Sequence, residues 1–235
     1  RDQPRSRGLG DVYKRQILCY TVIENKRKMC MIYKSILLIL GYLYGTMLTA
    51  TFVVKHSTGN DVSKIGSGNP GMANVMEHIG KKEGVLVLAG DILKVIVAGI
   101  LGRLLFPDKT WHDIFLYTGF GAIFGHNYPL WRKGKGGKGV TVTCTWLILT
   151  FGVPGAICCI IGGMVVLLTG WLPLGAVVIP ALAIPMVYFI HGKSIELVCV
   201  LIATVLMLIR HRKGIYRIIP VSYTHLRAHE TEADL

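Results

Sequence analysis

"VLVLAGDILKVIVAGILGRLLF", residues 85–106, decides what kind of protein this is. It is apolar on every helical face, and its only ionisable side chains are Asp91, Lys94 and Arg103. A helix of that length rises about 33 Å, enough to cross a hydrocarbon core about 30 Å thick. Asp91 and Lys94 stand three apart on one helical face, where ionisable residues within a span turn inward and pair. Arg103 sits near the far end, placed to snorkel.

The same signature repeats outward from that stretch. Residues 32–54, 114–130 and 195–209 run long and nearly free of charge. Between 140 and 190, Pro154, Gly170 and Pro173 cut the apolar sequence into helices at about 140–153, 155–169 and 174–190. Composition agrees, with 52% hydrophobic and 17% charged residues, against about 25% charged in a soluble domain. The expected fold class is an all-α integral membrane protein, a bundle of about seven transmembrane helices, some of them short. Residues 1–16 and 221–235 show neither helical nor strand periodicity and look like translated adapter sequence. The expected plan is a non-native or disordered extension at 1–28, a membrane domain at 29–220 and a non-native tail at 221–235.

The formal net charge of +13 is concentrated in loops. Cations follow the first helix (Lys55, Lys64, Lys81, Lys82), the third (Arg132, Lys133, Lys135, Lys138) and the last (Arg210, Arg212, Lys213, Arg217). Positive loops stay cytoplasmic, so all three belong on that side. A nucleic-acid partner is not expected. The six cysteines lie mostly inside apolar runs without metal-ligand spacing and read as packing residues, so neither a metal nor a cofactor is expected.

The loops must therefore carry the chemistry. In "GSGNPGMANVMEHIGKK", residues 66–82, Gly66, Gly68 and Gly71 let backbone N–H groups approach an anion, while Ser67 and Asn69 add side-chain hydrogen bonds. In "WRKGKGGKGVTV", residues 131–142, four glycines alternate with lysines just before a helix N-terminus, itself an anion site. It is not a Walker loop, because Gly139 follows Lys138 where a hydroxyl is required. From these residues alone an anion cradle and a solvated basic loop stand equal.

"GSGNPGMAN" at 66–74, "GHNYPLWRKGKGGKGVTV" at 125–142, "IRHRKGIYRI" at 209–218 and "GDILK" at 90–94 together resemble the motifs of the PlsY-type glycerol-3-phosphate acyltransferases. The resemblance spans nearly all of residues 30–218. It implies a multi-pass enzyme of the bacterial inner membrane with its motif loops facing the cytoplasm. Such an enzyme moves an acyl group from acyl-phosphate to the 1-hydroxyl of glycerol 3-phosphate, giving lysophosphatidate for phospholipid synthesis. Its partners are those two substrates and membrane lipid, without a cofactor. Ser67 and His211 become the implied catalytic residues. Gly66, Gly68, Asn69, Gly71, Asn74, Lys135, Gly136, Gly137, Lys138 and Gly139 become the implied phosphate or substrate contacts, with His126, Lys81 and Lys82 as further candidates.

Two positions depart from the family pattern. Glu77 stands where the family has arginine, and Gly214 where it has asparagine. A carboxylate about 4 Å from a phosphate charge costs on the order of 4 kcal/mol per charge pair at an effective dielectric near 20. Glu77 is therefore expected to turn away, take a proton or pair with a cation, while Lys81 or Lys82 supplies the missing charge. An inactive relative, a small anion transporter with broken helices and a lipid-binding scaffold are the competing readings. The enzyme reading requires Ser67, Lys135, Lys138 and His211 to converge in one interfacial pocket. A carrier requires polar residues along a path through the bundle.

Overall fold

A computed structural model describes residues 4–216, whose regular elements are all helical, with no strand among them. Nine helices follow in order among these residues: α1 (Pro4–Gly45), α2 (Thr49–Thr58), α3 (Met72–His78), α4 (Lys81–Leu105), α5 (Trp111–Asn127), α6 (Val140–Phe151), α7 (Val153–Thr169), α8 (Leu172–His191) and α9 (Ile195–Tyr216). Short 3₁₀ turns lie at Val62–Lys64 and Leu130–Arg132.

Three stretches are long and apolar enough to cross a membrane: Gln16–Thr58, which takes in most of α1 and all of α2, then Lys81–Leu105 and Leu172–His191. The helices α6 and α7, of 12 and 17 residues, are shorter apolar elements. Their boundary falls at Gly152, two residues before Pro154, because Gly152 takes φ +62° and proline is favoured in a helix's first turn.

The expected tail at 221–235 lies outside the described residues. The expected extension at 1–28 carries helical backbone from Pro4 onward, where the sequence predicts no regular period. A helix already nucleated by an apolar span gains one hydrogen bond for each residue added, so it propagates without needing an amphipathic pattern. Residues 16–29 of this stretch are exposed.

Glycines set how the bundle closes. Gly41 and Gly45 of α1 cross Gly121 and Gly125 of α5, each pair spaced four apart. A Cβ on Gly41 would lie 1.8 Å from the Thr118 carbonyl oxygen, and one on Gly125 would lie 2.1 Å from that of Tyr42. Backbone therefore meets backbone, with Leu37, Ile114, Ile123, Trp146 and Val200 buried around the crossing.

Between α1 and α2 the helix breaks, and Leu48 is extended at φ −81°, ψ 97°. Irregular backbone within a membrane fold is tolerated where its polar groups find partners. Here the Met47 carbonyl accepts from Lys94 Nζ at 3.3 Å and the Thr46 carbonyl from Trp131 Nε1 at 2.9 Å. The break, the α5–α6 loop, the start of α8 and the end of α9 gather at one end of the bundle, where the three sequence motifs lie.

Candidate active site

Asn74 shapes the first motif from within. Buried near the start of α3, its Oδ1 accepts from the Ser67 backbone N–H at 2.9 Å and from Ser67 Oγ at 3.0 Å, while its Nδ2 donates to the Ile65 carbonyl at 3.0 Å. The Ser67 hydroxyl has committed its hydrogen to Asn74 and keeps its lone pairs for a visitor. Gly66 lies against the Asn74 and His78 side chains, leaving no room for a Cβ. Ser67, Asn69, Gly71 and Asn74 face a cavity, whereas Gly66 and Gly68 stand outside its lining.

The second motif folds back onto the end of α5. Gly137 N–H donates to the His126 carbonyl at 2.9 Å, and a Cβ there would lie 2.1 Å from His126 Nε2. Gly136 is likewise buried, and its carbonyl accepts from Arg210 Nη2 at 2.6 Å. These two glycines pack closely on His126 and Asn127, with no room for a Cβ, and neither is among the residues lining the cavity. Gly139, at φ +79°, precedes α6 and lines the cavity with Val140 and Thr141. The first-turn N–H groups of α6 have no partner within their own helix, and their positive end suits an anion. Lys138 lines the same space, while Lys135 is exposed and does not.

From the third motif comes His211, 1% exposed, with Nδ1 3.0 Å from the Met207 carbonyl. A carbonyl only accepts, so in the neutral ring the hydrogen sits on Nδ1 and Nε2 carries a lone pair. Nε2 is buried without a hydrogen-bond partner, and the residue lines the cavity. Gly214 has a separate role: a Cβ there would lie 2.6 Å from Pro173 Cγ, so this position seats the end of α9 against the start of α8.

One cavity of about 330 Å³ thus draws residues from all three motifs, with Met72, Leu172 and Pro173 adding apolar wall. Asp91, from the GDILK stretch of α4, and His126 also line it. Between them Lys94 Nζ lies 2.8 Å from Asp91 Oδ1, 2.8 Å from His126 Nδ1 and 3.3 Å from the Met47 carbonyl. An ammonium has three hydrogens and only donates, so His126 Nδ1 accepts and its Nε2 bears the hydrogen in the neutral ring. Thr49 Oγ1 adds a fourth contact, 3.3 Å from Asp91 Oδ1.

Glu77 lines the cavity, but its side chain is 75% exposed and 3.9 Å from His78 Nδ1. Lys81 and Lys82 are exposed at the start of α4 and are not among the residues lining the cavity. Lys138 stands in the cavity wall, Lys94 contacts the lining residues Asp91 and His126, and Arg210 donates to the Gly136 carbonyl with its guanidinium 5.3 Å over the Tyr128 ring. In the sequence Arg210 is one more loop cation; only its place beside His211 marks it.

Comparison with known proteins places this geometry. The chain matches the glycerol-3-phosphate acyltransferase family over residues 35–220. Glycerol-3-phosphate acyltransferase 1 of Lactobacillus johnsonii is 34% identical over 187 residues, covering 76% of this chain and 85% of the relative. The glycerol-3-phosphate acyltransferase of Bacillus subtilis is 33% identical over 187 residues, covering 79% and 93%. The crystal structure of PlsY (YgiH), an integral membrane glycerol 3-phosphate acyltransferase, in its glycerol 3-phosphate form superposes with a TM-score of 0.67 at 26% identity. That match covers 80% of this chain and 92% of the solved one. The lysophosphatidic acid form superposes with a TM-score of 0.65.

Proposed function

This chain belongs to the glycerol-3-phosphate acyltransferase family and is a multi-pass membrane acyltransferase, and we propose that its acyl donor is acyl-phosphate and its acceptor the 1-hydroxyl of glycerol 3-phosphate. The products are 1-acyl-glycerol 3-phosphate and inorganic phosphate. The observation that carries this reading is the single cavity lined by Ser67, Lys138 and His211 from three separate motifs.

The chemistry suits those residues. The glycerol hydroxyl oxygen attacks the acyl carbon, a new ester C–O bond forms, and the C–O bond to phosphate breaks with its electron pair leaving on phosphate. The hydroxyl proton passes to His211 Nε2, whose lone pair is unclaimed. Ser67 Oγ positions the attacking group, while Lys138 and the first turn of α6 take up phosphate charge. Acyl-phosphate already carries a good leaving group, so no covalent enzyme intermediate is needed. Asn69 and Gly71 contact substrate from the first motif. Gly66, Gly68, Asn74, Gly136, Gly137 and His126 hold the walls in shape, and exposed Lys135 draws anionic substrate toward the mouth. The acyl chain follows the apolar side formed by Met72, Leu172 and Pro173.

The loop cations support an orientation with the motif end in the cytoplasm of a bacterial inner membrane. Counting α1 with α2 as one crossing and α4 through α9 singly gives seven. Purified protein in detergent, supplied with glycerol 3-phosphate and acyl-phosphate, is expected to release phosphate and form lysophosphatidate in equal amounts, with acyl-CoA unable to replace the donor. Product from acyl-CoA alone would overturn the donor. Product formed by Glu77→Arg but not by wild type would assign an inactive relative.

A further inference from the structure

At the opposite end of the bundle, three helices bring His112, His191 and Glu196 together so that their donor atoms lie within 4.8 Å of one another. His112 is in the first turn of α5, His191 ends α8, and Glu196 is in the first turn of α9. We propose that this trio is a binding site for a divalent transition metal, with Zn²⁺ the best match to two imidazoles and one carboxylate. The inference is independent of the acyltransferase chemistry.

Three features point to a ligand rather than to packing alone. First, His112 Nε2 is buried and has no hydrogen-bond partner. A ring stacked for packing leaves that nitrogen unsatisfied, and a metal satisfies it. Second, the two imidazoles are already brought side by side: their centroids are 5.4 Å apart, and Phe151 sits edge-on to both at 6.0 Å. Third, the short connection after α8 turns at Gly192, with φ +67°, and returns Glu196 to the same spot, capped where Leu197 N–H reaches Ser194 Oγ at 3.4 Å. Zn²⁺ bonds of about 2.0–2.1 Å set tetrahedral donors about 3.3 Å apart, so the trio must tighten by up to about 1.5 Å. Rotation of the exposed His191 and partly exposed Glu196 side chains at their helix ends supplies that. Three protein ligands leave the fourth position to water.

The metal would staple the start of α5 to the α8–α9 connection. The far ends of the same helices carry His126, Leu172 and His211, about 21 Å away along α5. Sequence spacing does not reveal the site, because its donors come from three elements.

The test uses the full chain purified in detergent and stripped of metal with a chelator, then titrated with Zn²⁺ in a calorimeter. One equivalent is expected to bind and to raise the melting temperature. His112→Ala, His191→Ala and Glu196→Ala should each weaken binding at least tenfold, whereas His56→Ala, at an exposed histidine of α2, should not. Co²⁺ bound to wild type is expected to give the intense visible bands of a tetrahedral site, a readout that does not depend on any variant folding. Absence of saturable Zn²⁺ binding, undiminished binding in the three variants, or a weak octahedral Co²⁺ spectrum would each overturn the proposal.

Discussion

Lys94 Nζ lies 2.8 Å from His126 Nδ1, joining the middle of α4 to the end of α5 at a residue that lines the cavity. Lys94 is 6% exposed, and its ammonium spends its other hydrogens on Asp91 and the Met47 carbonyl. Removing one partner of such a buried pair strands the other charge, at a cost of about 3–5 kcal/mol. Lys94→Met should therefore lower the melting temperature in detergent sharply, and adding Asp91→Asn should recover part of the loss. A Lys94→Met protein as stable as wild type would mean that Asp91 has no need of that charge.

Ser67→Ala removes the hydroxyl whose lone pairs face the cavity, and His211→Ala removes the lone pair at Nε2. Each should lower turnover at least tenfold, about 1.4 kcal/mol of barrier, with little change in melting temperature for Ser67→Ala. Steady-state phosphate release checks both, and near-wild-type rates would remove those roles.

Gly137→Ala places a methyl against His126 Nε2, only 2.1 Å from where its Cβ would lie. Overpacking of this kind costs about 1–3 kcal/mol and pushes the lysine loop off the end of α5. The expected readout is a raised KM for glycerol 3-phosphate together with a lower melting temperature. An unchanged KM would show that the loop does not need this close seat.

Asp61 tests the loop that carries the first motif. Hydrogen bonds from Ser63, including its N–H at 2.7 Å, and the Arg132 guanidinium at 3.3 Å lower its pKa from 3.8 to about 2. A carboxyl depressed in the folded state stabilises above its unfolded pKa, and that contribution fades as pH falls through the folded value. Stability should therefore drop between about pH 4 and pH 2, and Asp61→Asn should flatten that limb. The side chain is 47% exposed, so the effect is small. An identical acid profile in the variant would contradict it.

Much of this was open to reading in the chain itself, for physical reasons. Runs such as 85–106 exceed the length a bilayer demands, so the spans declare themselves locally. The motif loops are equally visible, because glycines alternating with cations stand out sharply against the apolar runs on either side. What stays hidden depends on partners from other elements. The close packing of Gly136 and Gly137 is invisible until α5 supplies His126 and Asn127 against them. Gly214 reads as a lost asparagine until α8 supplies Pro173. Lys135 and Lys138 are indistinguishable by spacing, yet only Lys138 turns toward the cavity. The helical backbone from Pro4 has no sequence period to announce it.

A double-mutant cycle between Ser67→Ala and Lys138→Met, read as kcat/KM for glycerol 3-phosphate, tests most directly whether motifs distant in sequence act on one substrate in one cavity. The expected result is a coupling of at least about 1 kcal/mol between the two sites. Losses that add within about 0.5 kcal/mol would show that the two residues act on separate sites and would contradict a shared cavity.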